Sequence, residues 1–162
     1  MSSAPWLLID VDGVINVDVS NSVAKKTGLR TVSARARDGW RYKITYDPEV
    51  HTWFRELSDA GLRLAWCTTW QDEANSLLAD KLGLPELPVV TFDKHREGTK
   101  VPGIARFLSG EELDAPFAWI DDEIGNDDRV LLRRYELKQD YLLVGTDPRV
   151  GMTAEHVQQI IG

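Results

Sequence analysis

Strand-length apolar runs alternate with helical stretches from near the start of the chain almost to its end, and this alternation constrains the fold more than any other feature. The runs Trp6–Ile9, Leu62–Cys67, Leu87–Phe92, Phe117–Ile120 and Tyr141–Val144 are short and apolar, as strands buried on both faces must be. One helix is predicted from Asp47-Pro48 to about Ala60, with Asp47 as cap, Pro48 at the first helical position and Gly61 as the stop. Others are predicted over Gln71–Leu82, Pro102–Leu108, Asp127–Leu137 and Thr153–Ile161. Five strands interleaved with helices predict an α/β three-layer sandwich, its mainly parallel five-stranded sheet covered on both faces. At 162 residues, with no internal repeat or linker, the chain is expected to form one domain over 1–162.

One stretch departs from the alternation. "TVSARARDGWRYKITY", Thr31 to Tyr46, has two alternating runs around Asp38-Gly39, the residue pair of a tight hairpin turn. It belongs to an insertion over about 17–46 and is expected to project from the C-terminal end of the first strand, the edge where open α/β sheets bind ligands. The overall charge of −7 argues against a surface that coats nucleic acid. Yet Lys25, Lys26, Arg30, Arg35, Arg37, Arg41 and Lys43 face a single acid, Asp38, between Lys25 and Lys43. That segment is either a solvated edge or a substrate-facing basic surface.

Other classes are excluded more simply. There is no apolar run of about 18 residues, so no membrane span is expected. The N-terminal stretch lacks a basic region and meets an acid too early for a secretory signal. The single Cys67 precludes an internal disulfide and fits a cytoplasmic protein, and His51, His95 and His156 are too scattered for a zinc site. Cys67 is read as a buried packing residue, and Trp6, Trp66 and Trp119 as core. Trp40 and Trp70 lie where a base or sugar could stack, although core filling is the reading favoured for each.

The strand ends carry the chemistry. The first strand stops at Asp10, with Asp12 and Gly13 in the following turn. Residues i and i+2 can converge on one point, and paired carboxylates beside a divalent cation divide two tasks, nucleophile with metal ligation and proton exchange. The second strand runs into Thr68 and Thr69, and the fourth into Asp121, Asp122 and Glu123, with Asp127 five residues past Asp122. Lys100 stands just before a helix in the intervening connection. A parallel sheet would collect all of these along one edge.

In this order and spacing the chain resembles the haloacid dehalogenase (HAD) superfamily of phosphohydrolases over essentially its whole length. "DVDGV" at Asp10–Val14 is similar to the first motif of that family, Thr68 to the second, Lys100 to the third and Asp121-Asp122 to the fourth. The resemblance implies a HAD-like Rossmannoid fold and an Mg²⁺-dependent phosphatase. Asp10 would attack phosphorus to give an aspartyl-phosphate, and Asp12 would protonate the leaving oxygen and later activate water. Mg²⁺ would be held by Asp10, the main-chain carbonyl of Asp12, and Asp122. Thr68 and Lys100 would bind the phosphate, with Asp121 and Asp127 as supporting acids.

Alternatives stand at several positions. Thr68 or Thr69 could cap the next helix, and Thr69 competes with Thr68 as phosphate ligand. Lys94 and Arg96 compete with Lys100, and Asp127 and Asp128 both fit a helix cap. Within the resemblance, Asp12 favours phosphate chemistry over dehalogenation, and the short insertion implies a nearly capless, open site suited to bulky phosphorylated substrates, small molecules or nucleic-acid ends. The "WCTTW" stretch, Trp66 to Trp70, is similar to compact family members attached to RNA-repair proteins. Two other functions compete: metal-dependent nucleotide-sugar transfer through Asp-x-Asp, and a binding module that kept the fold without activity.

Overall fold

The structure is a computed structural model that describes residues 4–92, 100–109, 115–137 and 139–162. In chain order it has β1 (Trp6–Ile9), α1 (Asn21–Lys26), β2 (Arg30–Arg35), β3 (Arg41–Tyr46), α2 (Val50–Asp59) and β4 (Arg63–Trp66). A π-helical turn (Ala74–Ala79) then runs into α3 (Asp80–Leu82), followed by α4 (Val101–Ser109), β5 (Phe117–Asp121), α5 (Asn126–Arg134), β6 (Tyr141–Gly145) and α6 (Ala154–Ile161). β4-β1-β5-β6 form a wholly parallel four-stranded sheet, and β2 pairs with β3 in a separate antiparallel hairpin.

Each strand sends alternate residues to two cores, one per face of the sheet. Leu7, Ile9, Trp66, Ile120 and Val144 join Val50, Trp53, Phe54 and Leu57 of α2, Leu78 of the π-helical turn and Val157 of α6. Trp6, Leu8, Cys67, Phe117 and Trp119 meet Val101, Ile104 and Leu108 of α4 and Leu132 of α5 on the other side. The α2 residues recur at i, i+3, i+4 and i+7, the stripe that lays a helix against a sheet. Covered on both faces, the sheet has the three-layer arrangement expected. No helix among the described residues is long and apolar enough to cross a membrane.

The expected fifth strand is corrected. Leu87–Phe92 meets the sheet only through an isolated parallel bridge between Trp66 and Val89. Trp66 N–H donates to the Pro88 carbonyl at 2.9 Å, and Val90 N–H donates to the Trp66 carbonyl at 2.8 Å. Pro88 has no N–H to extend the ladder. The Asn75 side chain takes both main-chain groups of Leu87, accepting from its N–H at 2.9 Å and donating to its carbonyl at 2.7 Å. The main-chain groups of Leu87 and Pro88 are thereby all committed.

The hairpin forms as its turn residues require, with Gly39 at φ +89°. The short α1 was not expected; Ser20 caps it by accepting the Val23 N–H at 3.3 Å. Asp47 does initiate the following helix, accepting the Glu49 N–H on Oδ1 at 2.9 Å, although regular α-helix begins only at Val50.

Candidate active site

Parallel pairing puts the C-terminal ends of β1, β4 and β5 at one edge. Asp10 is the first residue beyond β1; its N–H donates to the Ile120 carbonyl at 3.1 Å, which carries strand-like pairing one residue further. Its carboxylate is buried and accepts the Val11 N–H at 2.8 Å. Asp121, the last residue of β5, is also buried and accepts the Glu123 N–H at 2.9 Å. Lys100, immediately before α4, sends its ammonium between them. Its Nζ lies 3.1 Å from Asp10 Oδ1 and 2.7 Å from Asp121 Oδ2, and donates to the Cys67 carbonyl at 3.0 Å. One cation thus ties together the ends of three strands.

Asp10, Asp121 and Asp122 each contribute a carboxylate oxygen to a cluster whose oxygens all lie within 4.8 Å of one another. Gly13 makes the approach of Asp122 possible. It holds φ +81°, and a Cβ there would collide with the Asp122 carboxylate. Thr146, just past β6, closes the same edge, its hydroxyl donating to the Gly13 carbonyl at 2.8 Å and its N–H to the Asp121 carbonyl at 3.2 Å.

The electrostatics follow from this crowding. Burial, reinforced by the Asp121 charge, raises the Asp10 carboxyl to about 8, although Lys100 pulls the other way. Burial and then the Asp121 charge raise Asp122 to about 6. Burial alone would discharge Lys100, but Asp10 and Asp121 outweigh it and hold the ammonium above its ordinary range. Burial likewise pushes the Cys67 thiol up, which makes it inert packing. Three carboxylates against one ammonium leave uncompensated negative charge. An oxygen-only donor set of this kind fits a hard divalent cation. The cluster is chemically suited to a metal.

The remaining candidates fall around this centre. The side chain of Asp12 lies outside the acidic cluster and is exposed, accepting from Asn16 Nδ2 on Oδ1 and from the Trp70 indole N–H on Oδ2, both at 3.0 Å. Thr68 is fully buried, and its hydroxyl accepts the Trp70 N–H at 3.2 Å; Thr69 is exposed. Asp127 is exposed on the first turn of α5, whereas Asp128 turns in and caps that turn, accepting the Gly125 N–H at 2.8 Å. Lys94 and Arg96 lie outside the described residues.

Register separates the two faces of the hairpin. Val32 pairs with Ile44 and Ala34 with Tyr42, so these residues share a face. Val32, Ala34, Ile44 and Tyr46 pack into the core, and the Tyr42 ring sits 5.4 Å from that of Trp70 at 60°. Arg35 pairs with Arg41 and Ser33 with Lys43 on the opposite face. Three cations of the basic segment therefore point away from Trp70. Arg37, at the loop, pairs with Asp72 and donates its main-chain N–H to Glu73 at 3.0 Å.

Asn16 and Thr146 were missed from the sequence. Thr146 carried a usable signal, since it follows a strand at the same edge as Asp10 and Asp121. Asn16 carried none: its role depends on a turn that returns it to Asp12 and lets its Oδ1 accept the Thr45 N–H at 2.9 Å.

Compared with known families, residues 6–157 match the one described as the HAD domain in Swiss Army Knife RNA repair proteins. No curated protein matches the chain.

Proposed function

The chain belongs to the family of HAD domains in Swiss Army Knife RNA repair proteins, and from that premise we propose that it is an Mg²⁺-dependent phosphatase acting through an aspartyl-phosphate on Asp10. The observation that carries this reading is the Lys100 ammonium between Asp10 and Asp121, beside a three-carboxylate cluster. Nucleotide-sugar transfer through Asp-x-Asp gives that bridge no task.

In the proposed reaction an Asp10 oxygen attacks phosphorus, the P–O bond to the leaving alcohol breaks, and Asp12 gives the departing oxygen a proton. Asp12 then takes a proton from water, whose oxygen attacks the same phosphorus and releases Asp10 and inorganic phosphate. Thr68, its oxygen already bonded to the Trp70 N–H, directs its hydroxyl proton at a phosphoryl oxygen. Lys100 offsets charge on the nucleophile and the phosphoryl group. Asp10, Asp122 and the Asp12 carbonyl would hold Mg²⁺, which supplies charge neutralisation of the phosphoryl oxygens. Asp121 fixes Lys100, and Asp127 stands further out as a supporting acid. The RNA-repair association of the family supports phosphorylated nucleotides or polynucleotide ends as substrates.

The test is hydrolysis of p-nitrophenyl phosphate with Mg²⁺ and with EDTA. Asp10→Asn should lose at least about a thousandfold in kcat with an unchanged circular dichroism spectrum. Wild-type rates in that variant would reject the reading.

A further inference from the structure

We infer that the cavity on the Asp12 side of the site is the leaving-group subsite, that it takes a nucleoside, and that it refuses a second phosphate. This rests on the phosphatase reading above, and it adds Asp38, Tyr42 and Glu73, which that reading does not use.

The cavity measures about 270 Å³ and is lined by Asp12, Asp38, Tyr42, Thr69, Trp70 and Glu73. Its position fixes what it holds. If Asp12 delivers the proton to the departing oxygen, the body of the leaving group lies on the side where Asp12 is exposed, and that side is this cavity. The volume suits a single nucleoside.

The walls then select the chemistry. Tyr42 and Trp70 line the cavity as an aromatic corner, ring centroids 5.4 Å apart and planes at 60°. A planar base stacks on such a surface, typically contributing roughly 1–3 kcal/mol per base. Asp38 and Glu73 offer acceptors to sugar hydroxyls and base amino groups. Neither acid is loose: Asp38 accepts the Trp40 N–H at 2.9 Å and the Tyr42 hydroxyl at 3.1 Å, and Glu73 accepts the Arg37 N–H at 3.0 Å. They are fixed parts of the wall.

Among the described residues the lining has no cation. Arg37, the nearest by sequence, pairs its guanidinium with Asp72, while Arg35, Arg41 and Lys43 occupy the far face of the hairpin. A phosphate in the cavity would meet Asp12, Asp38 and Glu73 with no positive side chain among the described lining residues, a like-charge arrangement that rejects ligands. A nucleoside monophosphate places only an uncharged nucleoside there. A nucleoside diphosphate attacked at its terminal phosphorus would place its inner phosphate there.

Two measurements on the full chain test this. In the first, adenosine, which has no phosphate, is titrated into ¹⁵N-labelled protein while the Trp70 indole N–H signal is followed, assigned by its loss in Trp70→Phe. A saturating shift is expected, with none from choline at equal concentration. In the second, kcat/KM is compared for adenosine 5′-monophosphate and 5′-diphosphate. The monophosphate should be favoured at least about tenfold, and the Asp38→Asn, Glu73→Gln double variant should shrink that ratio toward one. The inference is overturned if adenosine gives no shift, if choline shifts the signal as strongly, or if the variant leaves the ratio unchanged. If p-nitrophenyl phosphate is not hydrolysed at all, the phosphatase reading fails instead, and the adenosine titration still decides what the cavity binds.

Discussion

Lys100 and Asp10 lie 3.1 Å apart with both side chains largely buried, and the same ammonium is 2.7 Å from Asp121. Lys100→Met would leave two buried carboxylates without their cation. Breaking a buried pair in this way costs roughly 3–5 kcal/mol, and loss of one charge-stabilising donor lowers kcat about 10²–10³-fold. Urea unfolding and steady-state kinetics would measure the two effects. A variant with wild-type kcat would remove Lys100 from the chemistry.

Gly13 faces a double demand, a positive φ and no Cβ. Gly13→Ala should therefore destabilise the fold by about 1–3 kcal/mol through strain and displace Asp122. Thermal unfolding reads the first effect and calorimetric titration of Mg²⁺ the second, in which affinity should fall.

The carboxyls of Asp10 and Asp122 are raised to about 8 and about 6, against an ordinary 3.8. Between the ordinary and the raised values the folded metal-free protein binds more protons than the unfolded chain, so its stability falls as pH rises. In EDTA the melting temperature should be higher at pH 5 than at pH 8. Mg²⁺ should recover more stability at pH 8, where the carboxylates are ionised and available as ligands. A melting temperature that rises from pH 5 to pH 8 in EDTA would contradict the electrostatic picture.

The hairpin is held by its apolar face rather than by its ion pair. Arg37 and Asp72 are both about two-thirds exposed (65% and 68% of side-chain surface), so Arg37→Ala should change stability by no more than about 0.5 kcal/mol. Ile44 is fully buried, and Ile44→Ala should cost about 2–5 kcal/mol. Chemical denaturation of both variants gives the comparison.

Much of this molecule was legible in its residues. Runs such as Trp6–Ile9 and Phe117–Ile120 are strands because they are apolar throughout, and Asp38-Gly39 marked the hairpin turn. Asp10, Lys100, Asp121 and Asp122 lie where parallel pairing of those strands brings them. The departures from expectation have physical causes. Leu87–Phe92 has strand composition, but Pro88 and the Asn75 side chain remove the groups a ladder needs. The helical pattern over Gln71–Leu82 carried no sign that Ala74–Ala79 would take the wider π-helical turn. Asp12 read as a partner of Asp10 at i+2, yet its side chain turns outward to Asn16 and Trp70, contacts that depend on tertiary folding. Of the aromatic corner and its acids only Trp70 was legible; the grouping of Tyr42 and Asp38 with Glu73 joins separate segments and had no linear signature.

The one-bridge docking of residues 87–92 also bears on how copies of this protein meet. Proline-broken chain occupies both main-chain groups of Trp66 at the end of β4, which blocks strand addition at that residue without offering a new ladder of its own. Among the described residues no strand pairs with the outer side of β6, so Tyr141–Gly145 is where intermolecular strand addition would begin.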